Sequence, residues 1–175
     1  MMKKYLSIIL ILLISIKSIG QKITKNELDK FTNYKRIETD KVAIYGSNMS
    51  FTPNKIMISY RSADKSNFIK FIGYNTAAGV IGKDDEIILL LEDGKKVILK
   101  STGIQSYDLI GTPSVKSYSH QYSIENGDIE ILSKQKVKSI RIFYDNQYED
   151  IDIKDSLSKN ILDLSKVFLN EISKN

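Results

Sequence analysis

The sequence EIILLLEDGKKVILK at residues 86–100 is the stretch that decides the fold. The segment Glu86–Leu91 is apolar on both faces, and a second apolar run, Val97–Leu99, follows the pair Asp93-Gly94. An Asp-Gly pair between two such runs is typical of a β-hairpin with a primed two-residue turn. We therefore predict a hairpin here, with its first strand central and buried in a sheet.

Alternating apolar residues predict a meander on the amino-terminal side of this hairpin. In the segment 55–62, Ile56, Ile58 and Tyr60 lie on one face, the period of two that marks a half-buried strand. The other face carries Lys55, Met57, Ser59 and Arg61. Turn-forming residues separate this segment from shorter β-rich runs at residues 42–45 and 68–74.

The segments that follow the hairpin carry weaker patterns. Glycine and proline interrupt residues 104–113, and a strand is expected at 115–122, where the polar composition suggests an exposed or edge position. Residues 123–133 fit a short helical turn or a strand fragment, and we favour the helical turn.

A second hairpin and a long helix are predicted to complete the chain. Residues 136–144 alternate again, and residues 147–153 are expected to pair with them. After Asp155, interpreted as an N-cap, apolar residues recur at steps of three and four and form the stripe of an amphipathic helix: Leu157, Ile161, Leu164, Phe168 and Ile172. The predicted fold is mainly β (α+β), an antiparallel sandwich or curled sheet of about seven to nine strands with one carboxyl-terminal helix.

The first twenty residues read as a cleavable signal peptide. Lys3 and Lys4 precede an apolar run that is shorter than the roughly 20 residues needed to span a bilayer, and Ser18–Gly20 supplies small residues for cleavage. Gln21 stands where a lipoprotein would need cysteine. We expect a soluble protein, periplasmic or secreted, with an amino-terminal arm at 21–40 and one β-rich domain at 41–175.

Composition excludes several function classes. The chain has no cysteine, so disulfides, thiolate metal sites and cysteine nucleophiles are excluded. Removing the signal peptide leaves 23 basic against 21 acidic residues, a net charge of +2, and this near-balance argues against nucleic acid as a partner. We expect no cofactor.

The only histidine, His120, lies on a tyrosine-rich predicted strand. One imidazole cannot form a zinc site without further nitrogen or sulfur ligands, and no hydrolase signature accompanies it. Tyrosines on strands also pack against cross-strand neighbours, but they can form a binding platform. We name as a candidate binding surface Tyr107, Tyr118, His120 and Tyr122, and no catalytic residue.

Acidic residues cluster near the second hairpin and invite a calcium or a hydrolase interpretation. In a strand, Asp150 and Asp152 share one face while Glu149 points to the other, so these carboxylates do not converge as calcium ligands. Paired carboxylates for hydrolysis could still be drawn from Asp145, Asp150, Asp152 or Glu130. The loop Thr76–Gly82 lacks the Lys-Ser or Lys-Thr pair of a phosphate-binding loop, and Asn48-Met49-Ser50 fits the glycosylation triplet by letter.

Several short motifs carry a resemblance. These are Asp29–Thr32 with Arg36 and Glu38-Thr39, Leu91–Gly94, Tyr122-Ser123 with Ile131-Leu132, and Val137 with Ile140–Ile142. Together they resemble a loosely defined group of small exported bacterial β-rich proteins of uncharacterised function, in which a glycine follows the Phe-Thr pair where this chain has Asn33. The resemblance implies a β-rich fold with a terminal helix, and it implies no catalytic residue set.

Two function classes follow from these observations. The first is a non-enzymatic envelope or secreted protein that binds a protein or glycan partner by a sheet face, a sheet edge or the arm. The alternative is an envelope or polysaccharide hydrolase with paired carboxylates.

Overall fold

The computed structural model describes residues 22–46, 54–74, 81–110, 115–144 and 147–174. Ten strands and two helices lie in these ranges. In chain order they are β1 (Ile23–Leu28), β2 (Lys35–Thr39), β3 (Val42–Gly46), β4 (Lys55–Ala63), β5 (Ser66–Tyr74), β6 (Glu86–Leu91), β7 (Lys96–Ile110), β8 (Val115–Ser123), α1 (Asn126–Leu132), β9 (Val137–Tyr144), β10 (Gln147–Asp152) and α2 (Asp155–Ile172).

All ten strands belong to one antiparallel sheet. Their order is β1-β2-β4-β5-β8-β7-β6-β9-β10, and β3 pairs with β4 along the edge that β4 also shares with β2. The sheet curls without closing, and residues of β5 and β8 line the same cavity as residues of β9 and β10. The predicted class is confirmed in its curled-sheet form, with ten strands instead of seven to nine.

The segment interpreted as an amino-terminal arm forms β1 and β2 of this sheet. Ile37 of β2 is fully buried in the core. The turn between the two strands contains Asn33 at a φ of 58°, the left-handed conformation that asparagine tolerates better than most residues. The segment has few apolar residues, so the hydrophobic pattern did not predict these two strands. One buried isoleucine, Ile37, is enough to attach β2 to the core.

The hairpin of β6 and β7 is confirmed, but its turn is not primed. Gly94 has a φ of 83° whereas Asp93 has no positive φ, and the Gly94 N–H donates to the Leu91 carbonyl at 3.1 Å. This pattern is a turn followed by a glycine bulge. A primed turn occurs instead between β4 and β5, where Asp64 and Lys65 have φ values of 51° and 69°.

Strand β8 lies in the middle of the sheet, so the expected edge or exposed position was wrong. It pairs with β5 on one side and with β7 on the other. Small residues make this position compatible with a polar sequence: Ser119 is buried, and its Oγ lies 2.8 Å from the Oγ of Ser106 on β7. Strand β7 itself continues through Gly103 to Ile110, across residues that we expected to be irregular.

Helix α2 covers the concave face of the sheet. Its buried residues include Ile161, Leu164 and Phe168, as the apolar stripe predicted, while Leu157 and Ile172 are half-buried at its ends. The Phe168 ring stacks on Tyr60 of β4 with 4.9 Å between the ring centroids. The helix therefore supplies part of the core that the open sheet cannot supply alone.

The elements near the carboxyl terminus otherwise match the prediction, with one correction. Helix α1 and the hairpin of β9 and β10 are present. The N-cap of α2 is Lys154, and Asp155 is the first helical residue. The Asp155 carboxylate accepts a hydrogen bond from Lys136 Nζ at 3.0 Å, so it binds a neighbouring side chain instead of capping the helix.

We expect Phe168→Ala to lower the free energy of unfolding by about 3–5 kcal/mol, because it removes a fully buried ring and leaves a cavity. The control is Lys166→Ala on the exposed side of the same helix, which should change it by less than about 0.5 kcal/mol. Urea unfolding followed by circular dichroism measures both. Equal effects would contradict the role assigned to α2.

Candidate functional site

A narrow cleft opens on the concave face where the two halves of the curled sheet meet. Its cavity volume is about 20 Å³, room for about one water molecule. Apolar residues of β4, β5 and β9 form most of its wall. Its polar side chains are Tyr118, His120 and Tyr122 of β8, Tyr144 of β9 and Glu149 of β10. We call this feature the His120 cleft.

The period of strand β8 places three of these side chains together. Tyr118, His120 and Tyr122 are separated by two residues each, so they point to the same face of the sheet. The Tyr118 and His120 rings lie 5.3 Å apart between centroids, and the Tyr122 ring meets Phe71 edge-on at 5.5 Å. The neighbouring strands thus hold the aromatic row in place.

His120 is the most unusual group in the cleft. Its side chain is 5% exposed, and its Nδ1 atom is buried without a hydrogen-bond partner among the described residues. Burial lowers the pKa of His120 to about 4, so the imidazole is uncharged at neutral pH. A buried polar atom without a partner is rare in folded proteins, because it loses its hydrogen bond to water and gains none in return.

The four residues predicted as a binding surface lie on one face of the sheet. Tyr118, His120 and Tyr122 line the cleft, and burial raises the pKa of the Tyr122 hydroxyl. Tyr107 of β7 is directly opposite Tyr118 in the register, so its side chain is on the same face. Tyr107 is 57% exposed and extends the aromatic surface beyond the cleft.

Sequence reasoning did not assign Tyr144 and Glu149 to this site. The alternation of β9 had placed Tyr144 on the same face as Ile140 and Ile142, and that of β10 had separated Glu149 from Asp150. These patterns give the correct face of each strand. They do not reveal that the sheet curls far enough to bring β9 and β10 across from β8.

The acidic residues considered for hydrolysis lie elsewhere. Asp150 accepts two hydrogen bonds of 2.6 Å from Arg141, from Nε and from a terminal nitrogen, and this pairing holds the pKa of Asp150 below its usual value. Asp150 and Asp152 line a groove on the convex face, opposite to the His120 cleft. Glu130 is on α1, where it pairs with Lys134 at 3.7 Å.

The remaining candidates fall largely outside the described residues. The structure does not describe four of them: Asp145, the Asn48-Met49-Ser50 triplet, residues 76–80 of the glycine-containing loop and the predicted signal peptide. Within the described residues, no three histidine, aspartate or glutamate side chains are grouped so that they could hold a metal ion.

Comparison with protein-family models, with curated protein sequences and with solved structures finds no match to this chain. No helix in the described ranges has both the length and the apolar content that crossing a membrane would require.

The lowered pKa of His120 predicts a specific dependence of stability on pH. The unfolded chain, with a histidine pKa of 6.5, binds more protons than the folded chain between pH 6.5 and about 4. The His120 contribution is therefore fully present above pH 6.5 and is lost as the pH falls through this window, by up to about 3 kcal/mol.

Urea unfolding of the wild-type chain and of His120→Leu, measured at intervals from pH 7 to pH 4, tests this. The difference between their free energies of unfolding should shift in favour of the variant as the pH falls. Parallel curves for the two proteins would show that folding does not lower the pKa of His120, and would contradict this prediction.

Proposed function

We propose that this chain is an exported protein without enzymatic activity that binds a protein or glycan partner at the His120 cleft. The observation that carries the proposal is the buried Nδ1 atom of His120, which has no partner among the described residues. A polar group of the ligand would supply the missing hydrogen bond.

The size of the cleft limits what can enter it. A cavity of about 20 Å³ admits one small group, such as a hydroxyl, and not a whole sugar ring. The rest of the partner would lie over the mouth, where Tyr118 is half-buried and Tyr107 is exposed. Tyrosine suits this position because its ring offers rigid apolar area and its hydroxyl forms hydrogen bonds.

The export part of the proposal rests on the sequence. The basic residues, short apolar run and small residues of positions 1–20 are those of a secretion signal. We propose cleavage after Gly20 and a mature protein that is periplasmic or secreted, soluble and not anchored by lipid.

The alternative, a hydrolase with paired carboxylates, has less support. A general acid needs a carboxyl group with a raised pKa, whereas the pairing with Arg141 lowers the pKa of Asp150. Among the candidates, Asp150 and Asp152 lie in the convex-face groove, and Glu130 is not among its lining residues.

Binding at the cleft can be read directly from His120, because it is the only histidine in the chain. Residues 21–175, labelled with ¹⁵N, are titrated with a glycan panel and with fractions of an envelope extract. We expect a bound partner to shift the imidazole Nδ1 resonance. The variant His120→Phe keeps an aromatic ring but removes the nitrogen. Affinity for the partner should fall about fivefold, because one hydrogen bond contributes about 1 kcal/mol.

The matched control is Tyr148→Phe, which changes an exposed tyrosine at the β10 edge and should leave affinity unchanged. Binding without any shift of the His120 resonance would contradict the assignment of the site. Deleting residues 21–40 is a poor test, because it removes β2 from β4 and Ile37 from the core.

A further inference from the structure

A larger cavity lies on the convex face of the sheet, at the place where β2 and β3 both meet β4. Strand β2 pairs with β4 at Ser62 and Arg61 and ends at Thr39. Strand β3 begins to pair with β4 at Ile58. In the gap between these pairings, the Thr39 hydroxyl accepts a hydrogen bond of 2.9 Å from the Tyr60 N–H. The cavity at this junction has a volume of about 540 Å³, and we call it the junction groove.

The charges around the junction groove nearly balance. Its charged lining residues are three cations and two anions: Lys41, Arg61, Lys70, Glu38 and Asp40. A groove for an anionic polymer would hold a larger excess of cations, and the centre of a protein interface is depleted of charged residues. Hydrogen-bond donors and acceptors that lie side by side suit a ligand whose own groups both donate and accept.

The pair of Arg61 and Glu38 has hydrogen-bonding capacity left for a ligand. The Arg61 Nε atom lies 3.6 Å from the Glu38 Oε1 atom, which is too far for a hydrogen bond, and this Nε has no hydrogen-bond partner among the described residues. The two side chains are 40% and 37% exposed, so a ligand can reach them. The pair of Arg141 and Asp150 differs, because two hydrogen bonds of 2.6 Å already engage its carboxylate.

An aromatic ring and an amide complete the groove. Phe68 of β5 is directly opposite Arg61 of β4 in the register. Lys70 of β5 is directly opposite Gln121 of β8. Alternation with core residues along the three strands places these four side chains on the convex face. The half-buried Phe68 ring thus offers apolar area beside a few polar groups, a combination that small-molecule sites share.

We propose that the junction groove binds a neutral sugar residue of a glycan. Each sugar hydroxyl both donates and accepts, so one hydroxyl can bond to Glu38 and Arg61 together, while the C–H face of the ring packs on Phe68. A volume of about 540 Å³ is typical of small-molecule sites, whereas the His120 cleft has room for one hydroxyl-sized group. The proposal goes beyond the proposed function, because it assigns a second site on the opposite face of the sheet.

Calorimetric titration of residues 21–175 with maltotriose, cellotriose and chitotriose tests the proposal. We expect at least one of these neutral trisaccharides to bind with a millimolar or lower dissociation constant, and salt should change the affinity little because the ligand carries no charge. Lys70→Ala should weaken binding about tenfold, since it removes one charge-assisted hydrogen bond. The matched control is Lys100→Ala, an exposed lysine of β7 that does not line the groove, and it should leave the affinity unchanged.

The variant Glu38→Gln separates a sugar from an anionic ligand. For a sugar, an amide oxygen is a weaker acceptor than a carboxylate, so the affinity should fall about fivefold. For an anionic ligand such as trigalacturonate, loss of the negative charge would raise the affinity. The variant should fold normally, because the exposed ion pair that it removes contributes little to stability.

Three outcomes would overturn the proposal. One is the absence of binding by all three neutral trisaccharides at millimolar concentration. Another is equal affinity of Lys70→Ala and Lys100→Ala. The third is a preference for trigalacturonate over the neutral sugars that increases in Glu38→Gln.

The two proposed sites fail separately, because His120 and Gln121 point to opposite faces of β8. We expect His120→Phe to leave binding at the junction groove unchanged. A trisaccharide whose binding is lost in His120→Phe but kept in Lys70→Ala would support the His120 cleft and overturn the groove.

Discussion

The structure depends on one constraint: a sheet that curls without closing exposes an apolar concave face that something must cover. Helix α2 does so through Ile161, Leu164 and Phe168, and its contact with the sheet is fixed by Tyr60. The Tyr60 hydroxyl lies 2.8 Å from Ser165 Oγ, which in turn donates to the Ile161 carbonyl. Burial raises the pKa of Tyr60, so this hydroxyl stays protonated and hydrogen-bonded inside the core.

The His120 cleft lies where the helix does not reach. No residue of α2 lines it, and its walls come from strands that face each other across the curl. Aromatic rings of β8 line one side of the cleft, and the ring of Tyr144 on β9 lines the other. The space between them is too small for a further side chain and is bounded by polar groups. A buried histidine nitrogen that has no hydrogen-bond partner among the described residues reduces stability, and this cost is the observation on which the proposed binding function rests.

Strand β7 bulges at a glycine. Gly103 has a φ of 77°, and a Cβ atom at this position would lie 3.2 Å from the Cβ of Lys83. This glycine lets β7 bulge beyond its pairing with β6 and continue alongside β8. The bulge therefore separates the pairing of β7 with β6 from the pairing of residues 105–110 with β8 within a single strand.

The sequence by itself determined the element types wherever the hydrophobic period was strong, as in β4, the β6–β7 hairpin and α2, because each pattern follows from local geometry. It also fixed which residues of β8 share a face. Only the tertiary structure decided that β8 is central, that residues 22–40 join the sheet and that Tyr144 and Glu149 line the same cleft as His120. Strand order and curl arise from contacts between distant segments, and periodicity within one strand carries no information about its neighbours.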